Sequence, residues 1–296
     1  MLPAMLVGTQ ANLYALGAIA LWATLAALGV ALKHLPPFLL TGIALMVGGL
    51  LAVPFVVRDR RQWKVTPRTL ALGVCTLFGF HFLLFIGLRL APAVEVNLIN
   101  YLWPLFIVVL APLYVRGLHP KGAHVLAALL GFGGAVIAIW GGRDAAGAGA
   151  AFDSRVMLGY ALALGSALIW ANFSLQTKRL AQAGKGFPTA AIGLFGLAAG
   201  GLSLLCHWAL EPVVALSLHD AGLLALMGLG PLGAAFFLWD KALKLGDPRH
   251  VGLLSYFTPL ASTALLMVVS GRALTWSVAA AAALIVSAAL IGTRSR

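Results

Sequence analysis

The chain has 296 residues, 61% of them hydrophobic and only 9% charged, with a mean hydropathy of +1.00. A soluble globular domain needs a far more polar surface than this composition supplies, so lipid must solvate much of the chain. The formal charge of +12 does not point to a nucleic-acid partner, because the basic residues form no continuous patch.

Each crossing of a bilayer core about 30 Å thick needs roughly 20 apolar residues. Cutting the chain at charges, prolines and glycine clusters predicts ten such segments, at 13–33, 38–57, 69–89, 94–115, 123–141, 156–177, 187–209, 221–243, 250–270 and 274–292. No Lys or Arg precedes Lys33, so the first segment lacks the charged start of a cleavable signal peptide and is expected to stay as a helix. None of the segments alternates polar with apolar residues, which favours helices over strands. The predicted fold is therefore an all-α polytopic membrane protein with ten transmembrane helices. Cys75 and Cys206 fall inside apolar segments with no metal-type spacing, and are read as buried packing residues without a disulfide.

Assigning the basic residues to alternate sides gives fifteen on one and five on the other, namely Lys33, Arg89, Arg143, Arg155 and Arg272. The positive-inside rule then places both termini in the cytoplasm. Trp140, Trp208 and Trp276 lie at segment ends on the poorer side, where an interfacial aromatic belt is expected.

The two halves echo each other. Tyr101-Leu102-Trp103-Pro104-Leu105 returns as Tyr256-Phe257-Thr258-Pro259-Leu260, and Leu21-Trp22-Ala23 returns as Ile169-Trp170-Ala171. Residues 144–153 are small and unlike either flank. They predict an external linker between a first five-helix repeat, 1–143, and a second, 154–296. Because five is odd, the second repeat enters the membrane inverted. Inverted repeats of this kind place a site near the midplane and work by alternating access.

These features, with the Trp early in each half, resemble the drug/metabolite transporter superfamily, in the branch with two tandem EamA domains. The resemblance covers essentially the whole chain. The segment Asn97 to Pro104, preceded by Pro92-Ala93-Val94-Glu95, is similar to the aromatic amino acid exporters of the YddG type. The resemblance implies a bacterial inner-membrane exporter whose substrate path is lined mainly by the first, third, fourth, sixth, eighth and ninth segments.

The fourth segment carries the most chemistry. At about 100° per residue, Asn97, Asn100, Tyr101 and Pro104 share one helical face. Two amides in lipid must face protein or water. They are read either as interhelical glue or as a hydrogen-bonding wall for the polar end of a small zwitterion, with Ser255 and Tyr256 as repeat-related partners. Pro104 and Pro259 each free a carbonyl one turn back, where a gating helix can bend. His81 is the one ionisable residue near the centre of a segment, with Phe78, Phe82 and Phe85 on or beside its face. It is either a neutral histidine bonded between helices or a substrate and proton site. Trp22 and Trp170 occupy matching places and are candidates for stacking on an aromatic substrate, against the alternative of packing. Glu95 reads as a loop charge at the outer face, and Asp240 and Lys241 as a terminal pair. Gly196-Leu-Ala-Ala-Gly200 reads as intramolecular helix packing.

No HExxH, GxSxG or phosphate-binding loop is present. The expectation is thus a secondary transporter, not an enzyme, with no cofactor or metal, a small-molecule substrate, membrane lipid around it and a monomeric state. Alternatives are an exporter of another small metabolite or drug, an intramembrane enzyme, or a channel.

Overall fold

The computed structural model describes residues 2–114, 122–146, 153–245, 254 and 257–294. Every regular element among them is helical. In chain order these are α1 (Leu2–Ala23), α2 (Leu25–Ala31), α3 (Pro37–Leu50), α4 (Val53–Arg58), a 3₁₀ turn (Arg60–Trp63), α5 (Pro67–Leu90), α6 (Ala93–Asn100) and α7 (Trp103–Tyr114). There follow α8 (Gly122–Ala146), α9 (Ser154–Gln182), α10 (Ala191–Leu210), α11 (Leu218–Leu229), a π turn (Gly230–Ala234), α12 (Ala235–Leu245), α13 (Phe257–Ser270) and α14 (Trp276–Arg294).

Six helical runs are long and apolar enough to cross a membrane: Thr9–Ala31, Pro37–Arg58, Pro67–Leu90, Ser154–Ala181, Ala191–Leu210 and Leu218–Ala242. The other four predicted segments overlap only shorter apolar helices, Ala93–Ile107, Leu129–Ala138, Phe257–Ser270 and Trp276–Ala288. The chain is a polytopic α-helical membrane protein. Trp140, Trp208 and Trp276 are exposed. Both cysteines are free, but Cys75 is exposed and Cys206 half-buried, which corrects the expectation that they pack inside. A thiol in an apolar run has no reason to avoid a lipid-facing position.

Local chemistry sets the helix ends. Pro37 starts α3, where a missing N–H costs nothing, and the Glu211 carboxylate accepts from the N–H groups of Phe38 at 2.9 Å and Leu39 at 3.1 Å. Asp153 caps α9, and Ser217 forms a reciprocal capping box with Asp220 at α11. Gly184 and Gly271, at φ +67° and +65°, end α9 and α13 in a conformation that favours glycine.

The helices fall into two compact units. One consists of Met1–Phe78 with Phe187–Ser262, the other of Gly79–Gly186 with Thr263–Arg296. In the first, α3 packs on α10 and α11, and α1 on α12. The α3–α10 contact is a near backbone-to-backbone approach: a Cβ on Gly193 would lie 2.2 Å from the Ala52 Cβ and 2.9 Å from the Gly49 carbonyl oxygen. Gly196 and Gly200 meet Leu45 and Gly42 in the same way, so the Gly196–Gly200 motif packs helices within the chain. In the second unit α8 lies along α14, and α9 packs on α6 and α7.

Candidate substrate-binding site

The amide face of the fourth segment is carried by α6. The segment is not one helix: it is interrupted at Tyr101–Leu102, where the ladder tightens to Leu102 N–H on the Ile99 carbonyl at 3.1 Å before α7 begins. Pro104, in the first turn of α7, has no N–H to return to Asn100. Pro259 likewise stands in the first turn of its helix, α13, and is buried.

Asn97 and Asn100 are both buried and each meets a hydroxyl on another helix. Asn97 Nδ2 donates to Thr263 Oγ1 on α13 at 3.4 Å, a long and weak bond. The Ser166 hydroxyl on α9 donates to Asn100 Oδ1 at 2.7 Å and lies 2.8 Å from the Ala163 carbonyl. One hydroxyl has one proton. That proton is therefore shared between the Asn100 amide oxygen and the Ala163 carbonyl. Tyr101 is buried beside them. In this conformation the polar face is closed by protein groups.

One turn before the amides, Glu95 is fully buried rather than a solvated loop charge. Arg272, in the α13–α14 turn, donates to its Oε2 at 2.8 Å. Arg89 donates to the Phe85 carbonyl at 2.8 Å. Glu95 Oε1 and the Tyr160 hydroxyl are buried without a partner among the described residues.

His81 sits in α5, almost fully buried. Phe80 stands edge-on to it at 4.9 Å, and Phe85 lies 6.0 Å away. Phe80 also meets Trp170 at 5.3 Å, so His81, Phe80, Phe85 and Trp170 form one aromatic group in the second unit. Phe78 stacks on Phe38 in the first unit, with ring centroids 5.7 Å apart. Trp22 meets Phe236 at 5.8 Å and Trp239 at 5.3 Å in the first unit. Ser255 and Tyr256 lie outside the described residues. Lys241 rests its ammonium 5.6 Å over the Tyr14 ring, and Asp240 accepts from the Thr189 hydroxyl.

Sequence reasoning missed Ser166 and Thr263. Signals for them existed: Ser166 lies one turn before Trp170 on α9, and Thr258, Ser262 and Thr263 form a buried hydroxyl stripe along α13. Among the described residues no group of His, Cys, Asp and Glu is arranged to hold a metal ion.

Comparison with known proteins bears on this arrangement. The profile of the EamA-like transporter family matches residues 9–140 and again 157–293. The chain is 37% identical over 292 residues to the aromatic amino acid exporter YddG of Ancylobacter novellus, covering 96% of this chain and 97% of that one. It is 28% identical over 281 residues to the protein of the same name from Escherichia coli, covering 90% and 91%. A solved crystal structure at 37% identity superposes with a TM-score of 0.73 over 96% of both chains. The chain is a membrane transporter, and it belongs to the EamA-like transporter family, with the family's domain present twice.

Proposed function

We propose that this protein exports small amphipathic metabolites, above all aromatic and other neutral amino acids, across a bacterial inner membrane by alternating access. The observation that carries the reading is the 37% identity, along nearly the full length of both chains, to an aromatic amino acid exporter. The named residues fit such a cargo. Asn97, Asn100 and Tyr101 offer hydrogen bonds to an ammonium or carboxylate, and Trp170 with Phe80, and Trp22 with Phe236, offer ring faces. In this reading the Asn100–Ser166 and Asn97–Thr263 contacts are placeholders that substrate replaces. The framework is ten spans in two inverted repeats, 1–143 and 154–296, with both termini cytoplasmic and the protein acting as a monomer.

Purified protein reconstituted alone in liposomes loaded with labelled tryptophan tests this. The expected result is saturable efflux that phenylalanine inhibits. Efflux no faster than from empty liposomes overturns the reading, and an unsaturable ion leak turns it into a channel.

A further inference from the structure

We propose that α4 and the 3₁₀ turn behind it form a binding site for an anionic phospholipid. The inference rests on the membrane character of the chain and not on its transport cargo. α4 is flanked by two apolar grooves within the first unit. One, of about 650 Å³, is walled by Phe55 and Phe237, whose rings stack at 5.9 Å and 21°, together with Pro188 and Ala190. The other, of about 430 Å³, is walled by Val53, Val56, Val57 and Trp63. Arg58, Lys241, Asp59 and Asp240 edge the first groove and Arg60 edges the second.

Charge at this place is unbalanced in a particular way. Arg58, Arg60, Arg61 and Lys64 are all exposed, and among the described residues none of them makes an ion pair. Two acids lie nearby and are held by neutral donors. Asp59 accepts from the Arg61 N–H at 3.0 Å and from Gln62 Nε2 at 3.4 Å, while Asp240 accepts from Thr189. Four exposed cations against these two carboxylates leave the cluster net positive, and guanidinium groups match phosphate oxygens two at a time. Trp63 is fixed beside them by its Nε1 donating to the Ala190 carbonyl at 2.9 Å, an amphipathic ring of the kind that settles at headgroup depth.

A soluble anion would use the cations and leave the two grooves empty. A neutral lipid would fill the grooves and leave the cations unmatched. A phosphate diester with acyl chains uses both, as basic clusters at the end of a spanning helix do when they select anionic headgroups.

The test is lipid retention by the purified full-length protein, measured by native mass spectrometry with phosphatidylglycerol against phosphatidylcholine. The parent is expected to retain phosphatidylglycerol selectively, and the triple variant R58Q/R60Q/R61Q to lose about a hundredfold in that preference. Arg179→Gln with Lys185→Gln, basic residues elsewhere in the chain, should leave it unchanged. Equal retention of both lipids by the parent, full retention by the triple variant, or displacement of phosphatidylglycerol by inorganic phosphate each overturns the proposal. A photoreactive phosphatidylglycerol analogue on the unaltered protein gives a result free of folding effects: label within residues 53–64 or at Phe237 supports the site, and label confined elsewhere overturns it.

Discussion

Arg272 donates to Glu95 at 2.8 Å across 177 residues of chain, and the carboxylate it meets has no exposed surface at all. The contact ties the start of α6, one turn before the amide face, to the turn between α13 and α14. Removing one member of such a buried pair leaves an uncompensated charge, which typically costs about 3–5 kcal/mol. Arg272 is 23% exposed, which argues for the lower end of that range. Arg272→Gln should therefore lower the melting temperature in detergent clearly, and adding Glu95→Gln to it should restore most of the loss. A single variant as stable as the parent would mean that water already solvates the carboxylate.

Two glycines of α10 make a controlled pair. A Cβ on Gly193 would collide with Ala52, just beyond the end of α3, and with the Gly49 carbonyl on α3, whereas one on Gly201 meets nothing within 4 Å. Gly193→Ala should destabilise by about 1–3 kcal/mol through overpacking. Gly201→Ala should be neutral or stabilising, because alanine is the better helix former. Thermal unfolding of both variants checks this, and equal effects at the two positions would refute the close α3–α10 approach.

The membrane-helix pattern was legible because hydropathy averages over a whole span. For the same reason it could not reveal where backbone pitch changes. The fourth segment reads as one run, 94–115, yet breaks at Tyr101–Leu102. The eighth hides a π turn at Gly230–Ala234, around Pro231. Such turns shift the hydrogen-bond register without altering composition. Site residues divide similarly. Asn97 and Asn100 are visible because two amides in an apolar run are costly. Their partners Thr263 and Ser166, like the Glu95–Arg272 pair, are joined only by tertiary packing that no local spacing encodes.

The topology has a direct measurement. Both termini are expected in the cytoplasm with Ala148, which lies outside the described residues, in an external linker. A single cysteine at 148, in a background lacking Cys75 and Cys206, should react with an impermeant thiol reagent in intact cells. Labelling only after lysis would reverse the inverted-repeat arrangement.

Energy coupling can be read at His81, buried against Phe80 and near Phe85. If His81 carries the coupling proton, His81→Gln should abolish dependence on a pH gradient and leave downhill exchange intact. Transport by the unaltered protein that ignores a pH gradient would remove proton antiport and leave facilitated diffusion.

The binding face separates glue from site by what it discriminates. Asn100→Ala removes a buried hydrogen-bonding partner, a loss that typically costs about 1–3 kcal/mol. If substrate uses that amide, affinity should fall by roughly tenfold or more. Ser166→Ala distinguishes the two readings further: as pure glue, Asn100 needs Ser166, and losing the hydroxyl should lower stability without changing substrate preference. Trp170→Ala and Trp22→Ala should weaken aromatic substrates more than aliphatic ones, because only the former lose stacking. Competition between phenylalanine and leucine for tryptophan efflux gives the ratio for each variant, with protein level and melting temperature as controls. Variants that transport all three amino acids as the parent does would leave Asn100, Trp22 and Trp170 as helix-packing residues and move the site elsewhere in the chain.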